Sequence, residues 1–296
     1  MKVFVTGVGG QLGFDVVNEL KKRGADCVGS DIIDRTGEDY IKLDITNKAE
    51  VDKALTEICP DAVIHCAAWT AVDAAEEPEN REKVFAVNAE GTRNLAEACK
   101  KLGCKMLYIS TDYVFNGQGE EPWKADCREF APLNVYGQSK LDGELAVSET
   151  LDKFFIVRIA WVFGLNGGNF IKTMLKVGKK FDTVRVVCDQ IGTPTYTLDL
   201  ARLLADMIET DKYGFYHATN EGGYISWYDF CVEFYRQYGL ETTVLPVTTG
   251  EYGLSKAARP FNSRLDKSKL AEAGFQPLPS WKDAVKRYLT ELKNNE

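Results

Sequence analysis

Short apolar segments alternate with longer amphipathic segments over the first two thirds of the chain. The apolar segments are nearly continuous, as in strands buried on both faces of a sheet, and they predict strands at residues 3–6, 25–31, 61–65, 105–110 and 154–159. Apolar residues at helical spacing predict helices at residues 11–23, 48–58, 80–102 and 134–149. Strands that alternate with helices favour an α/β fold in which helices cover both faces of a parallel sheet.

The pattern changes after about residue 165. Residues 169–180, 197–209 and 226–238 have helical patterns, residues 183–188 have a strand pattern, and the C-terminal loops carry several prolines. We therefore expect a doubly wound domain at residues 1–165, with its sheet completed by parts of 183–218. A smaller lobe at residues 166–296 is expected to pack closely on this domain and to be partly interleaved with it.

The composition is that of a globular protein and narrows the choice of partners. The 296 residues include 36 Lys and Arg against 44 Asp and Glu, and the net charge of −8 disfavours nucleic acid because like charges repel. No apolar run reaches the ~18 residues that a membrane-spanning helix needs. The chain enters its first strand without a signal-peptide pattern, so we expect a cytoplasmic protein with no membrane partner.

The eight cysteines and two histidines offer little material for metal or disulfide chemistry. The sequence has no C-x-x-C pair and no close Cys/His cluster, so we predict neither a zinc site nor a disulfide framework. His65 and His217 leave little material for a His-based triad. His65 follows the apolar run 62–64, which favours a plain strand-end residue.

A glycine-rich turn links the first predicted strand to the first predicted helix. Gly7, Gly10 and Gly13 have the spacing G-x-x-G-x-x-G and enclose Gln11 and Leu12. Glycine allows the tight turn and a close approach of the backbone to a pyrophosphate, and the helix N-terminus offers N–H groups to that anion. The triplet alone is common in ordinary turns, but its strand–turn–helix context favours a dinucleotide site.

Acidic residues follow the second strand, where the adenosine of a dinucleotide would lie. Asp31 ends that strand 18 residues after the last glycine of the turn, close to where a carboxylate contacts the ribose hydroxyls. Such a contact favours NAD over NADP, although Arg35 or Lys42 would offset this preference. Asp44 and Ile45 form an acidic–apolar pair suited to the adenine edge. Either aspartate is also typical of a turn.

Tyr136 and Lys140 lie four residues apart in a predicted helix and therefore on one face of it. A free phenol has a pKa of ~10, and a nearby ammonium stabilises its anion, so we expect Lys140 to lower the pKa of Tyr136. Thr111 follows the fourth strand, at the sheet edge where open parallel sheets bind ligands. An exposed helical pair is the plain alternative, but the glycine turn, Thr111 and this pair are more specific together than separately.

With these motifs, the sequence resembles the extended short-chain dehydrogenase/reductase family over essentially its whole length. Residues 88–95 match the helix that carries the family's active-site asparagine. Further matching segments are AAWTAVD (67–73), STDYVF (110–115), RIAWVFG (158–164), GTPT (192–195) with 199–201, and 258–260 with 263–266. The resemblance implies a Rossmann-type doubly wound sheet, a smaller C-terminal substrate-binding lobe, and a nucleotide-sugar substrate.

More narrowly, the resemblance implies that NADPH or NADH reduces the C4 ketone of dTDP-4-dehydro-L-rhamnose to give dTDP-L-rhamnose. Tyr136 would protonate the developing alkoxide, Thr111 would donate a hydrogen bond to the same oxygen, and Lys140 would bind the nicotinamide ribose. The other cofactor contacts would come from Gly7, Gly10, Gln11, Leu12, Gly13, Asp31, Asp44, Ile45, Ala67, Ala68, Trp69, Thr70, Asn88 and Tyr136 itself. Contacts with the sugar or its diphosphate would come from Val72, Thr111, Asp112, Trp161 and Arg259.

Several alternatives stay open at this point. Trp161 is also typical of a core aromatic residue, and Arg259 of a surface ion pair. The same scaffold serves nucleotide-sugar epimerases and dehydratases, although dehydratases usually have more than the single acidic residue, Asp112, found here beside Thr111. The sequence also resembles the beta subunit of methionine adenosyltransferase, a non-catalytic NADP-binding regulatory subunit. We expect a monomer or homodimer, and although Mg²⁺ remains possible we predict no metal site.

Overall fold

The computed structural model describes residues 1–37 and 39–294. Its strands are β1 (Lys2–Thr6), β2 (Asp26–Asp31), β3 (Tyr40–Lys42), β4 (Ala62–His65), β5 (Lys105–Thr111), β6 (Phe154–Ile159), β7 (Val162–Phe163), β8 (Thr183–Val187), β9 (Ile191–Gly192), β10 (Thr195–Tyr196), β11 (Gly214–His217), β12 (Ile225–Ser226) and β13 (Thr243–Val247). Its α-helices are α1 (Gln11–Lys22), α2 (Lys48–Ile58), α3 (Val72–Ala75), α4 (Pro78–Phe85), α5 (Thr92–Leu102), α6 (Val135–Thr150), α7 (Phe170–Gly178), α8 (Thr197–Ile208), α9 (Trp227–Tyr238), α10 (Thr249–Tyr252), α11 (Ser268–Glu272) and α12 (Trp281–Asn294).

The main sheet has seven parallel strands in the order β11-β6-β5-β4-β1-β2-β3. The five strands predicted from apolar segments are all present, so the Rossmann-type α/β fold is confirmed. The strand order reverses at β1, which lies between β4 and β2. In open α/β sheets, ligands bind beyond the carboxyl ends of the strands at such a point.

Two short strands complete the edges of this sheet. β3 pairs with β2, and β11 pairs with β6, with Gly214 opposite Phe155. The predicted strand at 183–188 is present as β8 but lies outside the main sheet, where it pairs with β13. Residues 214–217 are therefore the part of 183–218 that joins the main sheet.

The helix predicted at 80–102 is present within a continuous helical rod that begins at residue 78, but the rod is not a regular α-helix throughout. α4 continues into a π-helical turn at Ala86–Gly91 and then into α5. Such turns often occur at functional sites because they move side chains out of the regular helical register. The C-terminal helix α12 was not predicted from the sequence.

Both faces of the main sheet are buried. Val3 and Val5 point into one apolar cluster, while Phe4 between them points into another, as the alternation of side chains along a strand requires. A third apolar cluster holds the C-terminal lobe together and is centred on aromatic residues of α9 and α12. His65 is a buried strand-end residue, as predicted. No helix in residues 1–37 and 39–294 is long and apolar enough to cross a bilayer.

Candidate active site

A cavity of about 1110 Å³ lies along the carboxyl edge of the main sheet. The strand ends after β1, β2, β4, β5 and β6 all contribute to its wall, so residues far apart in the sequence meet there. Every predicted site residue except Asn88 lines it: Gly7, Gly10, Gln11, Leu12, Gly13, Asp31, Asp44, Ile45, Ala67, Ala68, Trp69, Thr70, Val72, Thr111, Asp112, Tyr136, Lys140, Trp161 and Arg259.

The glycine turn is built from close backbone contacts that no other residue type allows. Gly7 has a φ of +71°, in the left-handed region that favours glycine. A Cβ atom on Gly13 would lie 2.3 Å from the carbonyl oxygen of Gly7. Helix α1 begins after Gly10, and no side chain caps its first turn. Its first N–H groups are thus available to an anion in the cavity.

Two carboxylates line the part of the cavity beside the glycine turn. Asp31 accepts hydrogen bonds from the backbone N–H groups of Gly9 and Ile32, each at 2.8 Å. Asp44 accepts from the N–H and hydroxyl of Thr46 through a single oxygen, Oδ1. Each aspartate therefore lies in the cavity and also holds a turn, so the two interpretations of these residues are compatible.

Thr111 lies at the end of β5, where the strand passes into a short 3₁₀ turn. Its hydroxyl donates to Oδ1 of Asp112 at 2.9 Å and accepts from the N–H of Tyr113 at 3.2 Å. The second oxygen of Asp112 and the hydroxyl of Ser110 are buried and have no hydrogen-bond partner among the described residues. Burial raises the pKa of Asp112 to about 6. This end of the cavity therefore offers polar atoms to which a polar ligand can hydrogen-bond.

Helix α6 brings Tyr136 and Lys140 to the same end of the cavity. The side chain of Asn134 caps the helix by accepting from the N–H of Gly137 at 2.7 Å. This cap fixes the first turn, which carries Tyr136, and Lys140 follows one turn later. Lys140 is 3% exposed, and its Nζ donates to the carbonyl oxygen of Ile109 at 2.8 Å.

The expected effect of Lys140 on Tyr136 is not seen in this structure. Burial raises the pKa of Tyr136 well above its ordinary value, and the neighbouring Thr111 hydroxyl offsets this only in part. The ammonium of Lys140 lies 4.1 Å from the ring centroid of Tyr108 and bonds to Ile109. Burial lowers the pKa of Lys140 to about 7. The prediction was wrong because the fold buries both side chains and directs Lys140 to Ile109 and Tyr108.

Asn88 lies behind the cavity wall rather than in it. It belongs to the π-helical turn, and its side chain holds the backbone of Trp69 from both sides. The N–H of Trp69 donates to Oδ1 at 2.8 Å, and Nδ2 donates to the carbonyl of Trp69 at 3.1 Å. Nδ2 also donates to Ser139 at 2.9 Å. Asn88 therefore joins the loop after β4 to helix α6.

Trp161 and Arg259 both line the cavity, and each also has the structural role that the sequence left open: aromatic packing for Trp161 and an ion pair for Arg259. Trp161 lines the cavity and stacks on Trp227, with ring centroids 3.9 Å apart. It is a non-glycine residue with a φ of +52°, a strained conformation that packing must maintain. Arg259 lines the cavity and forms a two-pronged ion pair with Asp73, at 2.7 and 3.0 Å.

Several lining residues were not identified from the sequence. They include Ser110, Lys83, Phe170 and Trp227. Ser110 adjoins Thr111 in a motif already identified, so its position was a usable signal. Trp227 lies in the aromatic-rich helix predicted at 226–238, but no local pattern says that it faces a ligand. No group of three or more potential metal ligands occurs in residues 1–37 and 39–294.

Comparisons with known proteins agree over nearly the whole chain. Residues 1–294 match the family model of the RmlD substrate binding domain. A dTDP-4-dehydrorhamnose reductase from Streptomyces griseus is 42% identical over 95% of this chain and 90% of its own. A dTDP-4-keto-6-deoxy-D-glucose reductase from Streptomyces niveus is 34% identical over 99% of this chain and 98% of its own.

A solved structure extends the comparison to three dimensions. The dTDP-4-dehydrorhamnose reductase of Bacillus anthracis, in complex with NADP, superposes with a TM-score of 0.90 and 41% identity. The match covers 98% of this chain and 100% of that one.

Proposed function

This chain belongs to the RmlD substrate binding domain family, and we propose that it reduces the C4 ketone of dTDP-4-dehydro-L-rhamnose to give dTDP-L-rhamnose. One observation carries the proposal: Thr111, Tyr136 and Lys140 meet in the same cavity as the glycine turn and Asp31. Only β4 separates β1 from β5 in the sheet, so the glycine turn and Thr111 are roughly 10 Å apart across it. The cavity volume of about 1110 Å³ exceeds the ~300–1,000 Å³ typical of one small ligand. This volume is consistent with a cavity that holds a cofactor and a substrate together.

NADPH or NADH fits the glycine-turn side of the cavity. The uncapped N–H groups of α1 would bind the pyrophosphate, and Asp31 would accept from the adenosine ribose. Lys140 would bind the nicotinamide ribose. When bound, the reduced nicotinamide supplies a hydride to the ketone carbon.

Tyr136 would supply the proton that completes the reduction. Because burial raises its pKa, the phenol carries its proton at neutral pH. It would give this proton to the C4 oxygen of the substrate as negative charge develops there.

Thr111 would stabilise the same oxygen by donating a hydrogen bond. Its single hydroxyl hydrogen is directed to Asp112 in this structure, so it must rotate toward the substrate to act. Sugar hydroxyls that donate to Asp112 would release Thr111 for this role. Val72 and Trp161 would contact the sugar, and Arg259 its diphosphate.

We propose an indirect role for Asn88. Its side chain binds both backbone groups of Trp69, so it would orient the loop 67–70 against the cofactor rather than contact the cofactor itself. Substitution of Asn88 would then weaken cofactor binding through the loop.

We further propose that the enzyme acts in the cytoplasm as a monomer or homodimer. All eight cysteines lie in the described part of the chain and are free thiols, which is typical of a reducing compartment. Light scattering on the purified protein would give the oligomeric state.

The test is a spectrophotometric assay at 340 nm with NADPH or NADH. dTDP-4-dehydro-L-rhamnose and dTDP-4-keto-6-deoxy-D-glucose would be compared as substrates, with Tyr136→Phe as the inactive control. We expect oxidation that requires the first sugar and is lost in the variant. Oxidation with only the second sugar would reassign the substrate.

The two alternative functions give different results in the same assay. An epimerase would convert its sugar with no net oxidation of the cofactor. A regulatory subunit would bind NADPH, leave both sugars unchanged, and require a separate catalytic partner. Either outcome, obtained with a verified supply of substrate, would overturn the proposal.

A further inference from the structure

Asp73 binds one short loop of the C-terminal lobe, residues 256–259, to the N-terminal domain. Its Oδ1 accepts from the backbone N–H groups of Lys256 and Ala257, both at 3.0 Å. The same oxygen accepts from Nη1 of Arg259 at 3.0 Å, and Oδ2 accepts from Nη2 at 2.7 Å. One carboxylate therefore fixes both the backbone that leads to Arg259 and its guanidinium.

The remaining hydrogens of Arg259 lie along one edge of its guanidinium. Nη1 uses its two hydrogens on Asp73 and on the carbonyl of Ala257, and Nη2 uses one on Asp73. A guanidinium has five N–H donors, so the Nε hydrogen and one Nη2 hydrogen have no acceptor within the described residues. These two donors form the pair that binds a phosphate or carboxylate in two-pronged fashion.

The position of Asp73 connects this arrangement to the cavity. Asp73 follows Val72, which lines the cavity at the start of α3, and Arg259 lines the same cavity. Arg259 is 22% exposed at its side chain, so it is partly withdrawn from solvent and held in place. The Nε edge is the part of the guanidinium for which the described residues supply no hydrogen-bond acceptor.

We propose that Asp73 is a positioning residue that orients Arg259 so that its Nε and Nη2 groups bind the diphosphate of a nucleoside diphosphate sugar. The inference rests on the proposed function for the identity of the sugar, but not for the diphosphate. Asp73 touches no reacting atom. It acts through Arg259, and it determines affinity for the nucleotide part of the substrate.

If Asp73 only stabilised the fold, its substitution would lower the free energy of unfolding. The side chain of Asp73 is 44% exposed, and exposed ion pairs contribute little to folding stability. Asp73→Asn should therefore fold normally. What it removes is the charge-assisted pair that fixes the guanidinium.

The test compares Asp73→Asn with Glu77→Gln. Glu77 pairs with Lys256 of the same loop but makes no contact with Arg259, so it controls for general docking of the loop. Steady-state kinetics would give kcat and KM for the dTDP sugar, and calorimetry would give Kd for dTDP alone and for NADPH. We expect Asp73→Asn to raise the sugar KM and the dTDP Kd by about 10-fold, the lower end for a charged hydrogen bond. kcat and the NADPH Kd should change less than about threefold, and Glu77→Gln should match the wild type.

A double variant makes the coupling to Arg259 explicit. If Asp73 acts through Arg259, then Asp73→Asn should add little to the loss already caused by Arg259→Lys. An additive loss, or an unchanged dTDP Kd in a folded Asp73→Asn variant, would overturn the inference. Because dTDP binding needs no turnover, it separates this inference from the proposed reaction. A wild-type protein that binds dTDP but reduces neither sugar would overturn only the proposed reaction.

Discussion

The indole rings of Trp161 and Trp227 stack with their centroids 3.9 Å apart and their planes 18° apart. Trp161 follows β6 in a left-handed backbone conformation, and Trp227 begins α9 in the C-terminal lobe. Two elements distant in sequence therefore support one side chain of the cavity wall. The strain at Trp161 is maintained by this contact across the two parts of the molecule.

We expect Trp227→Ala to raise the KM for the dTDP sugar by about 2–10-fold, because an aromatic pair contributes about 0.5–1.5 kcal/mol beyond its buried area. Trp227→Phe should raise this KM by a smaller factor, because it keeps an aromatic ring beside Trp161. The stacked indoles should also give an exciton signal in the far-UV circular dichroism spectrum, and either substitution should abolish it. An unchanged KM together with loss of that signal would show that the stack does not support the substrate site.

Tyr136→Phe should lower kcat by roughly 10²–10⁴, the usual contribution of a positioned acid. NADPH affinity should stay within about twofold, because only the phenolic proton donor is lost. Single-turnover kinetics and fluorescence titration with NADPH would measure the two quantities. Near-normal turnover in this variant would remove Tyr136 from the proton-transfer step.

Asp31→Ala should weaken NADH binding more than NADPH binding, because the carboxylate binds a free ribose hydroxyl and repels a 2′-phosphate. Asp26→Ala is the matched control, since Asp26 lies at the opposite end of β2, pairs with Lys2 at the exposed surface and does not line the cavity wall described above. Kd values for both cofactors would be measured by calorimetry. An equal loss for the two cofactors would place the ribose contact elsewhere.

Gly13→Ala should lower both NADPH affinity and folding stability. The new methyl group would lie 2.3 Å from the carbonyl oxygen of Gly7, and forcing atoms into a packed site costs about 1–3 kcal/mol. Gly250→Ala is the control, because a Cβ there meets nothing within 4 Å. Thermal unfolding with and without NADPH would measure both effects. A Gly13→Ala variant with wild-type behaviour would contradict the close-approach role of the glycine.

Asp15 should make folding stability depend on pH. Burial raises its pKa from 3.8 to about 6, while the hydroxyl of Thr197 donates to it. Between these values the folded state binds more protons than the unfolded state, so the free energy of unfolding falls as pH rises from about 4 to 6 and then levels off. Above pH 6 the ionised carboxylate is a net cost.

Asp15→Asn should therefore stabilise the protein by about 1–3 kcal/mol at pH 8 and have little effect near pH 4. Urea unfolding at the two pH values would measure the difference. A stabilisation that is the same at both pH values would show that the titration of Asp15 is not its cause.

The sequence predicted the sheet well because its central strands are buried on both faces. Such strands are continuous apolar runs that need no partner to be recognised. β3 was missed because Tyr40–Lys42 is a short, partly exposed edge strand. Helix α12 was missed although Ala284, Val285, Tyr288 and Leu289 bury one face of it. The prolines just before it directed the interpretation toward loops.

The candidate site was predictable where chemistry is encoded in local motifs. The glycine turn, Thr111 and the Tyr136–Lys140 pair each have a spacing that indicates their place. Asp73 and Trp227 have no such spacing, because their roles depend on partners more than 60 residues away along the chain. Nor could the sequence show that Lys140 is buried against Tyr108, since burial is a property of the assembled fold.

The π-helical turn at Ala86–Gly91 makes the number of residues in this rod as important as their identity. Each residue of a regular helix turns the chain by about 100°. Deleting one residue from this turn would therefore rotate the side chains before the deletion by about 100° around the helix axis, relative to those after it. Asn88 could then no longer hold Trp69, even with every side chain conserved. Natural variation in this stretch should therefore proceed by substitution and avoid changes in length.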